Sequence, residues 1–327
     1  MEESDIDLND FIDDEEPTLI EYASYFGSIN CFKFLYQNIQ KLPESISDYA
    51  IAGGNYEIIH LIEQSQVKFT NTSLMTSIRF FQTEIMEYLE ETLGIEKTID
   101  DACKSIVYYN LRSLIECEKI IQVNPNKHES VGYTLLSIAS MNGDLDIIKY
   151  LIQKFDKIDI NLKTTSGLSP LMFAALKGHY EVIKYYSTLP KIDINATNNQ
   201  KMTALHLACQ IGNLKIVKFL CSLPKININP DCGLNLRPID LAANKGYIEI
   251  IRYISSLPNV VIYNTGEKSI SIIELAVQSK NIEVVKLVLD LVDKSLGREL
   301  KNKDEFKNND QIFKGHMMAS YNIALKN

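Results

Sequence analysis

The chain has 327 residues, 46% of them hydrophobic, and a net charge of −9. That length is large for a single hydrophobic core, and no run of 18 apolar residues offers a membrane span. The absence of a basic excess argues against a nucleic-acid surface, which needs cations to neutralise phosphates. Residues 1–16 carry nine carboxylates and no Lys or Arg, while the remainder balances at 33 acids against 33 bases. With no basic region ahead of an apolar run, the N-terminus does not read as a secretory leader. It reads as an acidic tail, in which Leu8, Phe11 and Ile12 offer one helical turn to cover whatever follows.

From Thr18 a pattern begins. Thr18, Ala23 and Gly27 mark a cap, a core alanine and a turn glycine. Gly54 follows Gly27 after 27 residues, Phe81 after another 27 and Tyr109 after 28. Each has apolar residues at helical spacing around it, so 17–122 reads as four short helix pairs. Residues 123–132, with Pro125 among polar residues, form a junction within one continuous stack. From 133 to 290 the period lengthens. Gly143, Gly178, Gly212, Gly246 and Lys280 stand 35, 34, 34 and 34 residues apart. Four residues before each lies Ala139, Ala174, Ala208, Ala242 or Ala276, and seven before lies Leu136, Leu171, Leu205, Ile239 or Ile273. Nine before lies Thr134, Ser169, Thr203, Arg237 or Ser271. Ser and Thr suit a helix N-cap, and Pro170 and Pro238 suit the first helical position. Apolar pairs such as Ile216-Val217 follow each turn, and Leu-Pro pairs end the second helices at 189–190, 223–224 and 257–258. The IDIN and ININ segments at 158–161, 192–195 and 226–229 read as extended arms into a loop. Gly167, Lys201 and Asn235 take its turn position. Residues 291–327 read as a polar cap or tail, with helices near 286–301 and 311–325.

These residues carry a resemblance. TALHLA at 203–208 is similar to the T-P-L-H-x-A signature of ankyrin repeats, whose period is about 33 residues. SPLMFAALKGHYEVIKYY at 169–186 and RPIDLAANKGYIEIIRYI at 237–254 resemble it too. Arg237 stands where that pattern has Thr, and Lys280 where it has Gly. The shorter repeats resemble a degenerate ankyrin variety found in unicellular eukaryotes. The resemblance implies an all-α ankyrin-repeat solenoid of about nine helix-pair units, with short hairpin loops in the C-terminal half. It further implies a scaffold or adaptor that binds another protein on a concave face, and a His206 that ties its hairpin to the helix start.

Little in the chain suggests catalysis. Gly53-Gly54 lies between two helices and not between strand and helix, so it is no phosphate loop. The five histidines (60, 128, 179, 206, 316) are dispersed, with no metal spacing and no nucleophile beside them. His60 reads as the partner of a backbone group. The six cysteines show neither metal pairs nor a disulfide framework, and Cys31, Cys209 and Cys221 read as small apolar residues of an intracellular, cytoplasmic chain. No enzyme activity, cofactor, metal or small-molecule substrate is expected. The expected site is a surface. The residue before each cap is apolar (Tyr133, Leu168, Met202, Leu236, Ile270) and would form an exposed stripe that marks an interface. The residues just before the turns face the same way in the family: Met141, Leu176, Lys177, Gln210, Asn244 and Lys245, with Lys177 and Lys245 as rim charges. An alternative function is regulatory: Asn161, Asn195 and Asn229 occupy positions that resemble targets of asparagine hydroxylation.

Overall fold

The computed structural model describes residues 17–233, 235–262 and 271–300, which form 19 helices and no strand. The chain divides into two compact units, Met1–Ser130 and Val131–Asn327.

In the N-terminal unit the helices come in pairs: α1 (Leu19–Tyr25) with α2 (Ile29–Asn38), α3 (Ile46–Gly53) with α4 (Tyr56–Gln64), and α5 (Asn71–Arg79) with α6 (Thr83–Glu91). In the last group α7 (Ile99–Val107) is followed by α8 (Leu111–Glu116) and α9 (Glu118–Val123), which meet at the buried Cys117. First helices stack in a row, α1 on α3, α3 on α5 and α5 on α7. Between the rows Ile51, Ile58, Ile59, Ile62, Leu74 and Ile78 are fully buried. Gly53 permits the first contact: a Cβ there would lie 2.1 Å from the Ser24 carbonyl oxygen. Only a residue without a side chain allows two backbones so close.

The C-terminal unit repeats the scheme with longer connections. Its pairs are α10 (Leu135–Asn142) and α11 (Leu145–Lys154), α12 (Pro170–Lys177) and α13 (Tyr180–Ser187), α14 (Ala204–Ile211) and α15 (Leu214–Cys221), α16 (Pro238–Lys245) and α17 (Ile248–Ser255), then α18 (Ile272–Gln278) and α19 (Ile282–Leu300). First helices stack on first helices and second on second. Ala139, Ala174, Ala208, Ala242 and Ala276 are all fully buried in the first row, where a larger side chain would part the helices.

One backbone device sets the register of both units. All nine turn positions read from the spacing have left-handed φ, including the non-glycine residues Phe81 (59°), Tyr109 (57°) and Lys280 (57°). This closes the first helix. The N–H after the turn donates to the alanine carbonyl five residues back, as in Asp144 to Ala139 (3.0 Å), His179 to Ala174 (2.9 Å) and Asn213 to Ala208 (3.1 Å). That bond satisfies a carbonyl the helix end would leave orphaned. At the other end the expected caps form: the hydroxyls of Thr134, Ser169 and Thr203 accept the N–H of Ser137, Met172 and His206.

Two expectations need correction. The IDIN segments are not extended arms. Asp159, Asp193 and Asn227 each accept the N–H two residues on, at 2.9, 3.1 and 3.0 Å, which folds the segment into an Asx turn. No separate helix starts near 286, because the second helix of the last repeat runs on as α19 without interruption. The acidic tail and the helix expected at 311–325 lie outside the described residues.

Candidate partner-binding surface

The loops of the C-terminal unit are held by a ladder of asparagines. Asn161 Nδ2 donates to the Lys191 carbonyl (2.8 Å), and its Oδ1 accepts the N–H of Asp193 (2.8 Å). Asn195 repeats both bonds with Lys225 (2.7 Å) and Asn227 (2.9 Å), and Asn229 with Asn259 (2.8 Å) and Val261 (2.9 Å). Each amide thus clasps the backbone of the next loop at both of its atoms, as a strand neighbour would. The positions were legible in sequence; the partners, about 30 residues further on, were not.

The loop tips close on themselves. Thr164 donates its N–H to Leu168, Asn198 to Met202 and Cys232 to Leu236, at 2.9, 2.9 and 3.0 Å. The turn positions Gly167, Lys201 and Asn235 have φ of 79°, 59° and 56°. Successive tips also touch, with Thr165 N–H on the Gly132 carbonyl and Gly233 N–H on that of Gln200. This stacking overturns the exposed stripe. Met202 and Leu236 are only 8% and 7% exposed. Tyr133 and Leu168 are half-buried, and the Tyr133 ring sits 5.8 Å from that of Phe173. These side chains seal one loop against its neighbours. Ile270 lies outside the described residues.

Inside the loops, the third residue of the first helix ties repeat to repeat. His206 Nδ1 accepts the N–H of Thr203 (3.0 Å), and Nε2–H donates to the Leu236 carbonyl in the next loop (3.0 Å). The imidazole is fully buried and needs an acceptor at Nδ1, so burial holds its pKa below the ordinary value. In the next repeat Arg237 and Asp240 replace Thr and His. Arg237 Nε and Nη2 grip Asp240 at 2.9 and 3.1 Å, while Nη1 and Nη2 donate to the Val261 and Ile262 carbonyls at 2.7 and 3.3 Å. Burial pushes the Asp240 carboxyl up, against the downward pull of Arg237. The loss of the family threonine therefore exchanges one cross-repeat tie for another.

The two residues before each turn are less buried than this interlocked frame. Lys177, Ile211 and Lys245 occupy the same position in three successive repeats, and all three are exposed. Neither lysine forms an ion pair with a described residue. Met141, Asn142, Leu176, Gln210 and Asn244 are half-exposed, and Asn244 Nδ2 reaches Gln278 Oε1 (2.9 Å) in the following repeat.

A family model described as ankyrin repeats (3 copies) matches residues 102–198 and 185–265. The chain is an ankyrin-repeat protein. A stretch of 107 residues is also 35% identical to alpha-latrocrustotoxin-Lt1a of Latrodectus tredecimguttatus, covering 31% of this chain and 7% of the toxin. The chain thus spans a small fraction of that relative's length. Ankyrin repeats generally mediate protein–protein interaction, and the family is typically non-enzymatic.

The titratable groups of this ankyrin protein serve its frame. His179 Nε2 lies 2.9 Å from the Met141 carbonyl of the preceding repeat. His60 does not meet a backbone group: its Nδ1 lies 3.3 Å from Glu63 Oε2, and its ring meets Tyr88 edge-on. Burial pushes the Cys117 and Cys221 thiols up to about 12, far from a neutral-pH thiolate. Cys31, read as a small apolar residue, is exposed, whereas Cys209 is buried. Among the described residues no group of three His, Cys, Asp or Glu side chains could hold a metal ion, and no helix is long and apolar enough to cross a membrane.

Proposed function

We propose that this ankyrin protein is an interaction scaffold whose recognition residues are those just before the turns of the C-terminal unit, centred on Lys177, Ile211 and Lys245, on the face that is concave in the family. The observation that carries the reading is a contrast along the repeat. Caps, alanines, turns and clasps recur, with Arg237–Asp240 standing in for one Thr and His, and are engaged within the frame. The residues before the turns change from one repeat to the next and are half-exposed or, at Lys177, Ile211 and Lys245, exposed. A rigid frame with variable exposed residues favours binding, because little order is lost when the partner arrives. Two unpaired cations flanking an apolar side chain fit a partner segment with acidic groups around an apolar anchor.

The test is capture from source-cell lysate by wild type and by Lys177→Glu/Ile211→Glu/Lys245→Glu, after circular dichroism shows equal helicity. Wild type is expected to retain a protein that the variant loses. Retention of the same proteins by both would remove this surface from the account. The stripe residues are poor probes, since Met202→Glu and Leu236→Glu would place charge where the loops seal. Asparagine hydroxylation meets amides already engaged at both atoms, so peptides bearing Asn161, Asn195 and Asn229 from native protein are expected without an added oxygen. A mass gain of one oxygen on them would reinstate that reading.

A further inference from the structure

The first repeat exposes apolar surface where the later repeats are buried. Leu19 occupies the position eight residues before the turn and is 74% exposed, whereas its counterparts Ile46, Ala204 and Ile272 are at most 2% exposed. Phe26 and Phe34 are 66% and 68% exposed. With Tyr22, Cys31 and Leu35 they line an open apolar groove of about 550 Å³ between α1 and α2. A row of repeats needs a terminal unit with a polar outer side, because each repeat otherwise presents an apolar face to water.

We propose that this groove is the docking site of the chain's own N-terminal segment, seated through Leu8, Phe11 and Ile12. Three observations select that occupant. These three residues stand at i, i+3 and i+4, the spacing that puts them on one face of a helical turn. The five residue steps from Ile12 to Pro17 can reach up to about 16 Å, and Pro17 leads through Thr18 into Leu19 at the edge of the groove. A short tether gives an effective concentration on the order of millimolar, above that of any free competitor in dilute solution. The nine carboxylates around the apolar three remain in water, where they supply the polar outer side. They also disfavour a second copy in the groove, since the whole net charge of −9 resides in this segment and two such segments repel.

Cys31 is a native reporter inside the groove, and it is the one exposed thiol among the six. The experiment compares full-length wild type with full-length Leu8→Glu/Phe11→Glu. Alkylation of each cysteine by iodoacetamide is followed by peptide mass spectrometry at two protein concentrations. In wild type, Cys31 is expected to react about tenfold more slowly than in the variant, in line with a tethered occupant that is mostly bound. Cys221 is expected to react alike in both, and neither rate should depend on protein concentration. Equal Cys31 rates would overturn the proposal. A parallel rise at Cys221 would also overturn it, because the variant would then be opening globally. Protection that grows with concentration would do the same by assigning the groove to a second copy.

Discussion

The two units solve one problem with different means. Both stack helix pairs on a left-handed turn, but the N-terminal repeats are 27 or 28 residues long and the later ones 34 or 35. The difference of about seven residues is the loop, and with the loop go the clasps. In the C-terminal unit, most repeat ties are side chains bonded to backbone, as with Asn195, His206 and Lys163, joined by the buried Arg237–Asp240 pair. In the N-terminal unit many of the ties run from side chain to side chain, and many are charged. Lys33 pairs with Glu57, Arg112 with Glu87, and Lys97 with Glu90 and Glu116. Ser45 donates to Glu21, and Tyr88 to Glu63 at 2.7 Å. Asn55 and Asn110 reach backbone there, each 3.0 Å from a carbonyl of the preceding repeat, and Asp100 accepts the Ser130 N–H at 3.1 Å. A shorter repeat saves loop entropy and gives up the backbone partners that a loop supplies.

The largest break in this comparison is expected at Arg237. Asp240→Ala leaves its guanidinium buried without a counter-ion and should cost about 3–5 kcal/mol in urea unfolding of the C-terminal unit. Arg237→Thr/Asp240→His, which restores the usual pair, should recover most of that loss. If Asp240→Ala were neutral, the pair would not hold the loop.

Asn195→Ala comes next, at about 0.5–1.5 kcal/mol, because the Asn227 N–H and Lys225 carbonyl lose their partner at exposed positions where water replaces it in part. Its signature is local: faster hydrogen exchange at Asn227 with little change in the N-terminal unit.

A smaller effect follows from pH. The His206 pKa lies below its unfolded value, so below about pH 6.5 the unfolded chain takes up a proton that the folded one refuses. Stability should be intact above that value and decline as pH falls from 7 to 5. His206→Gln should flatten this part of the curve, and an unchanged slope would contradict the assignment of Nδ1 as an acceptor.

The smallest change is expected at the exposed Lys33–Glu57 pair. Lys33→Met should cost under about 1 kcal/mol, and high salt should erase the difference from wild type.

These contrasts also mark what could be read in advance. The turns and caps were legible because each is a local demand: a left-handed residue, a hydroxyl that accepts an N–H, a proline at the first helical position. Even Phe81, Tyr109 and Lys280 could be placed, since the spacing held where the glycine did not. The role of Asn161, Asn195 and Asn229 was hidden because their partners are backbone atoms of another repeat, which side-chain patterns do not report. The apolar residues before the caps were misread for the same reason. Their burial depends on loop stacking, seen in the Gly233 N–H on the Gln200 carbonyl, and not on local periodicity. The Arg237 exchange was visible as a departure, but its compensation by Asp240 needed the geometry.

The comparison is tested most directly by hydrogen exchange of the whole chain at low salt and at 1 M salt. At 1 M the screening length is about 3 Å, which weakens exposed charge pairs and leaves amide clasps intact. Peptides from residues 17–122 are expected to lose protection while those from 155–262 keep theirs. Equal losses in both regions, or a loss confined to the clasped loops, would contradict the account.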